Sequence, residues 1–308
     1  MNSILVTCPP MLGMLERFVP EFEKAGYTVD APDVVQTLSE AELVERLPHH
    51  RGWIIGDDPA TRAVFEAGVK GELKAAVKWG VGVDNVDFEA ARRLNLPITN
   101  TPNMFGHEVA DVAHGYVIGL ARELFLIDRG VRAQEWPKPR GISLAGKKAG
   151  LIGFGDIGAQ TARRLEASGL SLVVYDPALD QAPNPTCQLA RWPDQIEQCD
   201  FLVFTCALTA SSRHMLNAET LARCKPGVRI VNVARGPLID ESALVDALES
   251  GQVHSVALDV MEFEPLPAAS PMRDMPRCIF GSHNGSNTVE AVIATSEQAM
   301  RALFGFLA

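Results

Sequence analysis

The chain has 308 residues, of which 47% are hydrophobic, and carries a formal net charge of −10 at pH 7. This length and apolar content suffice for two compact domains, each with its own buried core. The acidic balance, with no run of lysine or arginine, makes nucleic acid and anionic membranes poor partners, so we expect neither. The six cysteines form no Cys-x-x-Cys pair and show no metal-ligand spacing, which indicates reduced packing residues and no metal site.

The amino terminus, MNSILVTCPP, lacks the basic segment and the long apolar run of a secretory signal. Charged residues or glycines interrupt every later apolar run well before the roughly 18 residues that a membrane-spanning helix requires. We therefore expect a soluble, cytoplasmic protein.

From Ile4 to about Asn100, short β-rich runs alternate with helix-like segments. The expected strands are ILVTC, YTVD, GWIIG, AAVKW and PITN, and stretches of mixed polarity, such as Met14 to Lys24, separate them. This alternation is typical of βαβ units, which build a parallel sheet covered by helices on both faces. It predicts a first α/β domain.

The segment from Glu108 to about Ala133 predicts one long helix. Its apolar residues recur at helical spacing, for example at Val109, Val112 and Val117. Because such a helix is long for a single globular domain, we expect it to link two domains. A proline-rich turn, EWPKPRG, follows it.

From Lys147 the alternation of strands and helical segments resumes. The expected strands are KAGLIG, LSLVVYD, FLVFTC, VRIVNV, HSVALD and RCIFGS, which predict a second doubly wound parallel sheet. The last stretch, Val289 to Ala308, predicts a helix that packs back across the first domain. The residues expected on its inward face are Val289, Val292, Ala299, Leu303 and Phe306.

The stretch GLIGFGDIGAQTARRLEASGLSLVVYDP contains a Gly-x-Gly-x-x-Gly pattern directly after an apolar strand. Its glycines, Gly153, Gly155 and Gly158, allow a tight turn, a close approach of a pyrophosphate and close packing of helix on strand. The helix N-terminus offers N–H donors to phosphate. Asp176, at the end of the next strand, would accept from ribose hydroxyls and repel a 2′-phosphate, so the pattern predicts NAD rather than NADP. The carboxylate of Asp156 would repel the pyrophosphate unless it turned aside to cap its own helix.

Three polar side chains follow later strands of the same predicted sheet. They are Arg235 in VNVARGPLIDE, Glu264 in ALDVMEFEP and His283 in GSHNGSNT. Ligands of open α/β sheets bind at the carboxyl ends of the strands, so we expect these side chains to gather near the nicotinamide. Hydride transfer to a 2-keto acid needs a cation for the carboxylate and an acid for the developing alkoxide. Arg235 suits the first role, and His283 beside Glu264 suits the second, although each residue taken singly also fits a structural role.

At these residues the sequence resembles the NAD-dependent D-isomer-specific 2-hydroxyacid dehydrogenases, a family that includes phosphoglycerate, D-lactate and glycerate dehydrogenases. The resemblance extends over nearly the whole chain and rests on six ordered motifs, which are GVGVDNVD, NTPNMFGHEVAD, GLIGFGDIG, NVARGPLIDE, ALDVMEFEP and SHNGSNT. It implies an α/β fold with two doubly wound parallel-sheet domains. A Rossmann NAD domain, residues 102–286, would be inserted into a flavodoxin-like substrate domain, residues 1–101 plus 287–308.

The resemblance also implies roles for individual residues. The catalytic set would be Arg235, Glu264 and His283, and the backbone N–H groups of Val81 and Gly82 would face the substrate carboxylate. NAD would be bound by the three glycines and by Asp156, Ile157, Asp176, Cys206, Val233, Ala234, Asp259 and Gly285. Because family members are usually dimers, it implies a homodimer joined through the NAD domain and an arm that includes Trp136 to Arg140.

The sequence departs from the phosphoglycerate-specific members of that family after the strand GWIIG. Where those members place an arginine, this chain has Gly56, Asp57 and Asp58, and Lys78 is the remaining substrate-binding cation near that end of the pocket. Two carboxylates there would repel a phosphate, which argues against phosphoglycerate. Asp57 and Asp58 either face an amine or hydroxyl of the substrate or cap the helix that begins near Pro59, and the capping interpretation is favoured.

Two functions from different classes fit these features. The favoured one is an NAD-dependent enzyme that interconverts a small D-2-hydroxy acid and its 2-keto acid. The alternative is a dinucleotide-sensing interaction protein of the corepressor type, which keeps the same fold and formally the same three residues. The absence of a low-complexity tail argues against the alternative.

Overall fold

The computed structural model describes residues 2–308 and divides into two compact units. The first unit contains the chain up to Met104 together with Asn287–Ala308, and the second unit contains Phe105–Ser286. The second unit is therefore inserted within the chain of the first.

The first unit is built on a five-stranded parallel sheet. Its strands are β1 (Ser3–Val6), β2 (Thr28–Asp30), β3 (Gly52–Ile55), β4 (Ala75–Lys78) and β5 (Ile98–Asn100). They lie in the order β2-β1-β3-β4-β5, and every neighbouring pair is parallel. This is the strand order of flavodoxin-like folds. All residues of β3 and β4 are buried, as expected of central strands that are covered on both faces.

Helices connect these strands, and their bounds are α1 (Pro9–Leu12), α2 (Leu15–Lys24), α3 (Glu40–Arg46), α4 (Arg62–Lys70) and α5 (Phe88–Arg93). Polar side chains determine where α3 and α4 begin. Ser39 accepts the N–H of Glu42 in a capping box, and Thr61 accepts the N–H of Val64. Short 3-10 helices of the chain lie at Leu47–His49, Ile196–Gln198, Gly236–Leu238 and Pro271–Asp274.

The second unit is built on a seven-stranded parallel sheet. Its strands are β6 (Lys148–Ile152), β7 (Ser171–Tyr175), β8 (Cys187–Leu189), β9 (Phe201–Phe204), β10 (Val228–Asn232), β11 (Val253–Leu258) and β12 (Cys278–Phe280). They lie in the order β12-β11-β10-β9-β6-β7-β8, so the winding direction reverses between β6 and β9, where doubly wound folds bind ligands. Both predicted parallel sheets are confirmed. The sequence did not predict the short edge strand β8.

The register of this sheet brings several loops to one edge. Ile152 pairs with Phe204, Phe204 with Asn232, Asn232 with Leu258, and Leu258 with Phe280. The loops that contain the glycine pattern and the three candidate catalytic residues therefore leave the sheet at the same level. This arrangement is the scaffold of the candidate site.

The helices of the second unit are α6 (Gly106–Arg122), α7 (Leu124–Arg132), α8 (Asp156–Ala167), α9 (Ala218–Arg223) and α10 (Glu241–Glu249). The prediction of one helix from Glu108 to Ala133 is wrong, because Glu123 adopts a left-handed conformation, φ 56°, that separates α6 from α7. Such a residue interrupts the helical hydrogen-bond ladder. The carboxylate of Glu123 is buried and lies 3.5 Å from Nε2 of His254.

The chain ends in helix α11 (Val289–Leu307), which belongs to the first unit. Nε1 of Trp79 donates to Oγ of Ser296 at 3.0 Å, and the ring of Phe304 packs against Phe22 and Tyr27. The predicted inward face is correct for Val292, Ala299 and Leu303. It is wrong at both ends of the helix, where Val289 is 60% exposed and Phe306 is 41% exposed. None of the helices described for residues 2–308 combines the length and apolarity that a membrane crossing needs.

Candidate active site

The glycine loop after β6 has the conformation that its sequence pattern predicts. Gly153 has φ 95°, and a Cβ there would lie 2.7 Å from the backbone of Cys206. A Cβ on Gly158 would clash with the carbonyl of Gly153. Within residues 2–308, nothing lies within 4 Å of the Cβ position of Gly155, which is exposed at the start of α8. The first and third glycines are therefore required by packing, whereas the second leaves an open approach to the helix N-terminus.

The carboxylate of Asp176 is held against this loop. Its Oδ2 accepts the N–H of Phe154 at 2.6 Å, and its Oδ1 accepts the N–H of Ala178 at 2.8 Å. The acid expected at the ribose is thus fixed next to the glycine pattern by two backbone donors.

Asp156 does not cap its own helix. It is the first residue of α8, whose N-cap is Gly155, and its carboxylate lies against Gly106, the first residue of α6. A Cβ on Gly106 would overlap that carboxylate. A negative charge at a helix N-terminus is favourable, so the start of α6 accommodates the carboxylate that would otherwise repel a pyrophosphate.

His283 and Glu264 form the pair that the sequence predicted. Nδ1 of His283 lies 2.8 Å from Oε2 of Glu264, although 19 residues separate them. Oε1 of Glu264 accepts the N–H of Met261 at 3.0 Å, so the carboxylate is oriented from both sides. Because a carboxylate can only accept, Nδ1 carries the proton of the pair, and Nε2 is the ring nitrogen that does not face Glu264.

Asp259 shapes the loop that carries His283. Its carbonyl accepts the N–H of His283 at 2.7 Å, and its two carboxylate oxygens accept the N–H groups of Asn284 and Gly285 at 3.3 and 2.9 Å. His283 is left-handed, with φ 55°. A Cβ on Gly285 would lie 2.9 Å from Oδ2 of Asp259, so this loop itself requires glycine there. Burial, together with Asp259, raises the pKa of the Tyr116 hydroxyl nearby.

Arg235 lies on the turn that follows β10. Asn232, fully buried at the end of that strand, donates to the carbonyl of Arg235 at 2.8 Å and accepts the N–H of Ala234 at 3.0 Å. A Cβ on the next residue, Gly236, would overlap the backbone of Met261. The Arg235 turn therefore packs directly on the segment that leads to Glu264.

The remaining residues predicted to line the cofactor site lie on the same loops. Ile157 is half-buried in the first turn of α8, and Val233 and Ala234 are buried directly after β10. Cys206 follows β9, and burial raises the pKa of its thiol to about 11, so the thiol stays protonated near neutral pH. The structure thus gathers these predicted residues in the second unit.

The first unit contains the residues predicted to contact substrate. Val81 and Gly82 follow β4, and Nδ2 of Asn100 donates to the Val81 carbonyl at 3.2 Å. Lys78 is only 2% exposed, and its Nζ donates to the Gly56 carbonyl and pairs with Oδ1 of Asp57 at 2.9 Å. The cation expected to meet a substrate anion is thus paired with a carboxylate of its own unit.

The capping interpretation of Asp57 and Asp58 is wrong. Thr61 caps α4, whereas Asp57 pairs with Lys78. Asp58 is fully buried and accepts the hydroxyl of Thr7 and the N–H groups of Leu38 and Gly56. A carboxylate can accept several donors at once, and in this fold the loops that meet at Asp58 supply them.

This chain is similar to known proteins in sequence and in fold. Residues 114–285 match the family described as "D-isomer specific 2-hydroxyacid dehydrogenase, NAD binding domain". The whole chain is 34% identical, over 318 aligned positions, to D-3-phosphoglycerate dehydrogenase of Methanocaldococcus jannaschii, of which it covers 59%. It is 36% identical over 260 residues to hydroxypyruvate reductase of Thermotoga maritima, and the aligned region covers 82% of this chain and 84% of that protein. The chain belongs to the D-isomer specific 2-hydroxyacid dehydrogenase family.

A solved structure of a glyoxylate reductase has the same fold. The crystal structure of a glyoxylate reductase from Paecilomyes thermophila superimposes with a TM-score of 0.82 at 28% identity, covering 97% of this chain and 93% of that one. The chain spans 59% and 50% of the lengths of the first two curated D-3-phosphoglycerate dehydrogenases that it matches.

The second unit fits the NAD that this dehydrogenase family binds. The family match identifies residues 114–285 as an NAD-binding domain. The N-terminus of α8 is accessible to a pyrophosphate for three reasons. The space at Gly155 is open, and the backbone N–H of Phe154 holds the carboxylate of Asp176. The carboxylate of Asp156 lies against the start of α6. The buried Asn232 at the end of β10 was missed as a support of the Arg235 turn. A fully buried polar residue at the end of a central strand is the signal that could have indicated it.

Proposed function

We propose that this chain is an NAD-dependent oxidoreductase that interconverts a D-2-hydroxy acid and its 2-keto acid by hydride transfer. The observation that carries this proposal is the His283–Glu264 pair, at 2.8 Å, at the same carboxyl edge of the sheet as the glycine loop. An oriented acid at the carboxyl edge of a dinucleotide-binding sheet is what reduction of a carbonyl requires. Relatives named as dehydrogenases and reductases support it, and none of those described above supports the corepressor-type alternative.

In this proposal the second unit is the NAD domain and the first unit is the substrate domain. Bound NAD supplies the hydride acceptor or donor. The backbone at Gly155 and Ile157 would face the pyrophosphate, Gly153 would shape the turn that presents them, and Asp176 would accept from the adenine ribose. The other predicted contacts with NAD are made by Asp156, Gly158, Cys206, Val233, Ala234, Asp259 and Gly285.

The side chains of this chain act on the 2-keto acid as follows. Arg235 binds the carboxylate and polarises the carbonyl, because a planar guanidinium forms two parallel hydrogen bonds with a carboxylate. In the first unit, the backbone N–H groups of Val81 and Gly82 are the proposed donors to a substrate carboxylate. Nε2 of His283 donates its proton to the oxygen that becomes the hydroxyl, while Glu264 stabilises the imidazolium before that transfer. In the oxidative direction, neutral His283 accepts the proton back.

We also propose that the substrate is a small 2-keto acid whose only negative charge is its carboxylate. Lys78 is buried and already paired with Asp57, and Gly56 offers no side chain to a second anion. A phosphate near Asp57 would meet repulsion rather than an available cation. The names of two relatives, a hydroxypyruvate reductase and a glyoxylate reductase, agree with such a substrate.

A homodimer and a cytoplasmic location complete the proposal. Apolar side chains are exposed on α7 and the arm after it, at Leu124, Phe125 and Val131 and at Trp136, which is 77% exposed. Such a group of exposed apolar residues on one segment marks an interaction site, and a second copy of this chain is the partner proposed. Sedimentation of wild type and of Trp136→Arg tests this, because a monomeric wild type would refute the homodimer.

Turnover by catalytic-site variants tests the enzymatic proposal. NADH oxidation is measured with glyoxylate, pyruvate, hydroxypyruvate, phosphohydroxypyruvate and branched 2-keto acids. Arg235→Ala and His283→Ala should each lower kcat/KM by at least about a hundredfold, since general acid catalysis and carboxylate binding are each worth that much. Wild-type rates in both variants would refute the proposed roles.

A further inference from the structure

A second histidine–glutamate pair adjoins the first, because the glutamates of the two pairs are two residues apart in the sequence. Nε2 of His214 lies 2.6 Å from Oε1 of Glu262, and Glu262 precedes Glu264 by two positions. The two carboxylates are turned into the structure, whereas Phe263 between them is exposed. The same short segment therefore holds one histidine with each of its glutamates.

Glu241 joins this segment to helix α10. The N–H of Glu262 donates to Oε1 of Glu241 at 2.6 Å, and the N–H of Glu241 donates to Oε2 of Glu262 at 3.4 Å. Glu241 is the first residue of α10 and follows the N-cap Asp240. Each glutamate thus accepts a backbone hydrogen bond from the other, which fastens the Glu264 segment to the helix that follows the Arg235 turn.

The carboxylates interact electrostatically as well as through the backbone. The pKa of Glu241 is raised above its ordinary value, first by burial and then by the negative charges of Glu262 and Glu264. The charged groups around Glu241 are those two glutamates, His214 and the capping Asp240. Arg235 and Asp259 lie on the adjoining loops, and His283 is bound to Glu264. A charge on Glu241 is therefore felt by the pair that the proposed function uses.

We propose that Glu241, Glu262 and His214 are positioning residues for the Glu264–His283 pair, and that the negative charge of Glu241 raises the affinity of His283 for its proton. The backbone bonds at Glu262 and Met261 fix where the Glu264 carboxylate lies. Glu241 contacts Glu262 rather than His283. It therefore acts by fixing the segment that carries Glu262 and Glu264, and by the electrostatic effect of its carboxylate on His283. The catalytic consequence rests on the proposed function, but the proton affinity of His283 does not.

Three variants separate position from charge. Glu241→Gln keeps an oxygen that can accept the N–H of Glu262 and removes the negative charge, whereas Glu241→Ala removes both. Glu249→Gln is the matched control, because Glu249 is an exposed glutamate at the other end of the same helix. Thermal unfolding of each variant is recorded first, and if Glu241→Ala is unfolded, Glu241→Gln alone decides the test.

The first measurement is the NMR titration of the His283 imidazole in the protein without substrate, with its signal assigned by its loss in His283→Gln. We expect Glu241→Gln to lower the midpoint by about half a pH unit, the order of effect of one solvent-screened charge that does not contact the imidazole. The Glu249→Gln control should coincide with wild type. A midpoint in Glu241→Gln equal to that of the control would overturn the electrostatic part of the proposal.

The second measurement is kcat and KM for keto-acid reduction against pH. Glu241→Gln should shift the alkaline limit of kcat/KM downward by the same amount with KM unchanged. Glu241→Ala should also lower kcat about tenfold, because the Glu264 carboxylate is no longer fixed. Equal kcat in the two variants would overturn the positioning role. If Glu241→Gln shifts the titration midpoint of His283 but the wild-type chain turns over no 2-keto acid, the proposed function is refuted. The coupling between Glu241 and His283 is then still supported.

Discussion

Replacing Glu264 with glutamine tests whether its carboxylate keeps His283 protonated. Glutamine matches glutamate in shape and removes the negative charge that lies 2.8 Å from Nδ1 of His283. A hydrogen bond between charged partners contributes roughly 1.5 to 3 kcal/mol, which corresponds to about one to two pH units in the proton affinity of the histidine. Both side chains are about one-fifth exposed, so water reduces the effect and we expect the lower end of that range.

The assay is kcat/KM for reduction of the best 2-keto acid between pH 5 and 10, with NADH oxidation as the readout. Reduction consumes the proton of His283, so its alkaline limit marks the pH at which the imidazolium is lost. In Glu264→Gln this limit should move down by about one unit, while the rate at low pH falls much less. Glu219→Gln, at an exposed glutamate of the same unit, should leave the limit unchanged. A Glu264→Gln profile that coincides with this control would refute the pairing as the source of acidity.

Three further substitutions test other contacts. Asp57→Asn leaves buried Lys78 without its carboxylate partner, so it should lower the free energy of unfolding in urea by about 2 kcal/mol. It should also lower KM for phosphohydroxypyruvate. An unchanged KM would contradict the proposal that the substrate carries a single negative charge. Gly106→Ala pushes on the Asp156 carboxylate and should weaken NADH binding, followed by fluorescence, at least fivefold, whereas Gly115→Ala on the same helix, where space is open, should not. Burial raises the pKa of Asp58, so the folded chain holds this proton to higher pH than the unfolded chain, and this residue's contribution to stability falls as pH rises between the two pKa values. Asp58→Asn should remove that part of the pH dependence. It should also lower the free energy of unfolding by about 2 kcal/mol, because an amide has one acceptor oxygen where the carboxylate has two. If the free energy of unfolding of the variant differed from that of wild type by the same amount at every pH, this explanation would be wrong.

The sheets were predictable because central parallel strands are buried on both faces and therefore appear as continuous apolar runs. β8 was missed because a three-residue edge strand has no such run. The break at Glu123 was missed because one left-handed residue leaves the apolar spacing of α6 and α7 almost unchanged. The burial predicted at both ends of α11 was wrong for a similar reason, since helical spacing does not show how far along the helix the rest of the first unit covers it.

The candidate site was predictable only where topology and chemistry coincide. His283 and Glu264 follow neighbouring strands, so parallel topology and the family resemblance together indicated their contact. The pairing of Asp57 with Lys78 depends on the register of β3 against β4, which the sequence does not display. The role of Asp259 in shaping the His283 loop was equally hidden, because its partners are backbone N–H groups that have no sequence signature.

Helix α11 also has a consequence for the order in which the units can fold. It supplies part of the core of the first unit, yet it follows the entire second unit in the chain. During synthesis the chain emerges from its amino terminus, and domains generally fold as units. The second unit therefore has all its strands while the first unit still lacks the partners of Trp79, Phe22 and Tyr27. The first unit therefore completes its core only after the second unit has been synthesised, and until then it exposes the apolar surface that α11 covers.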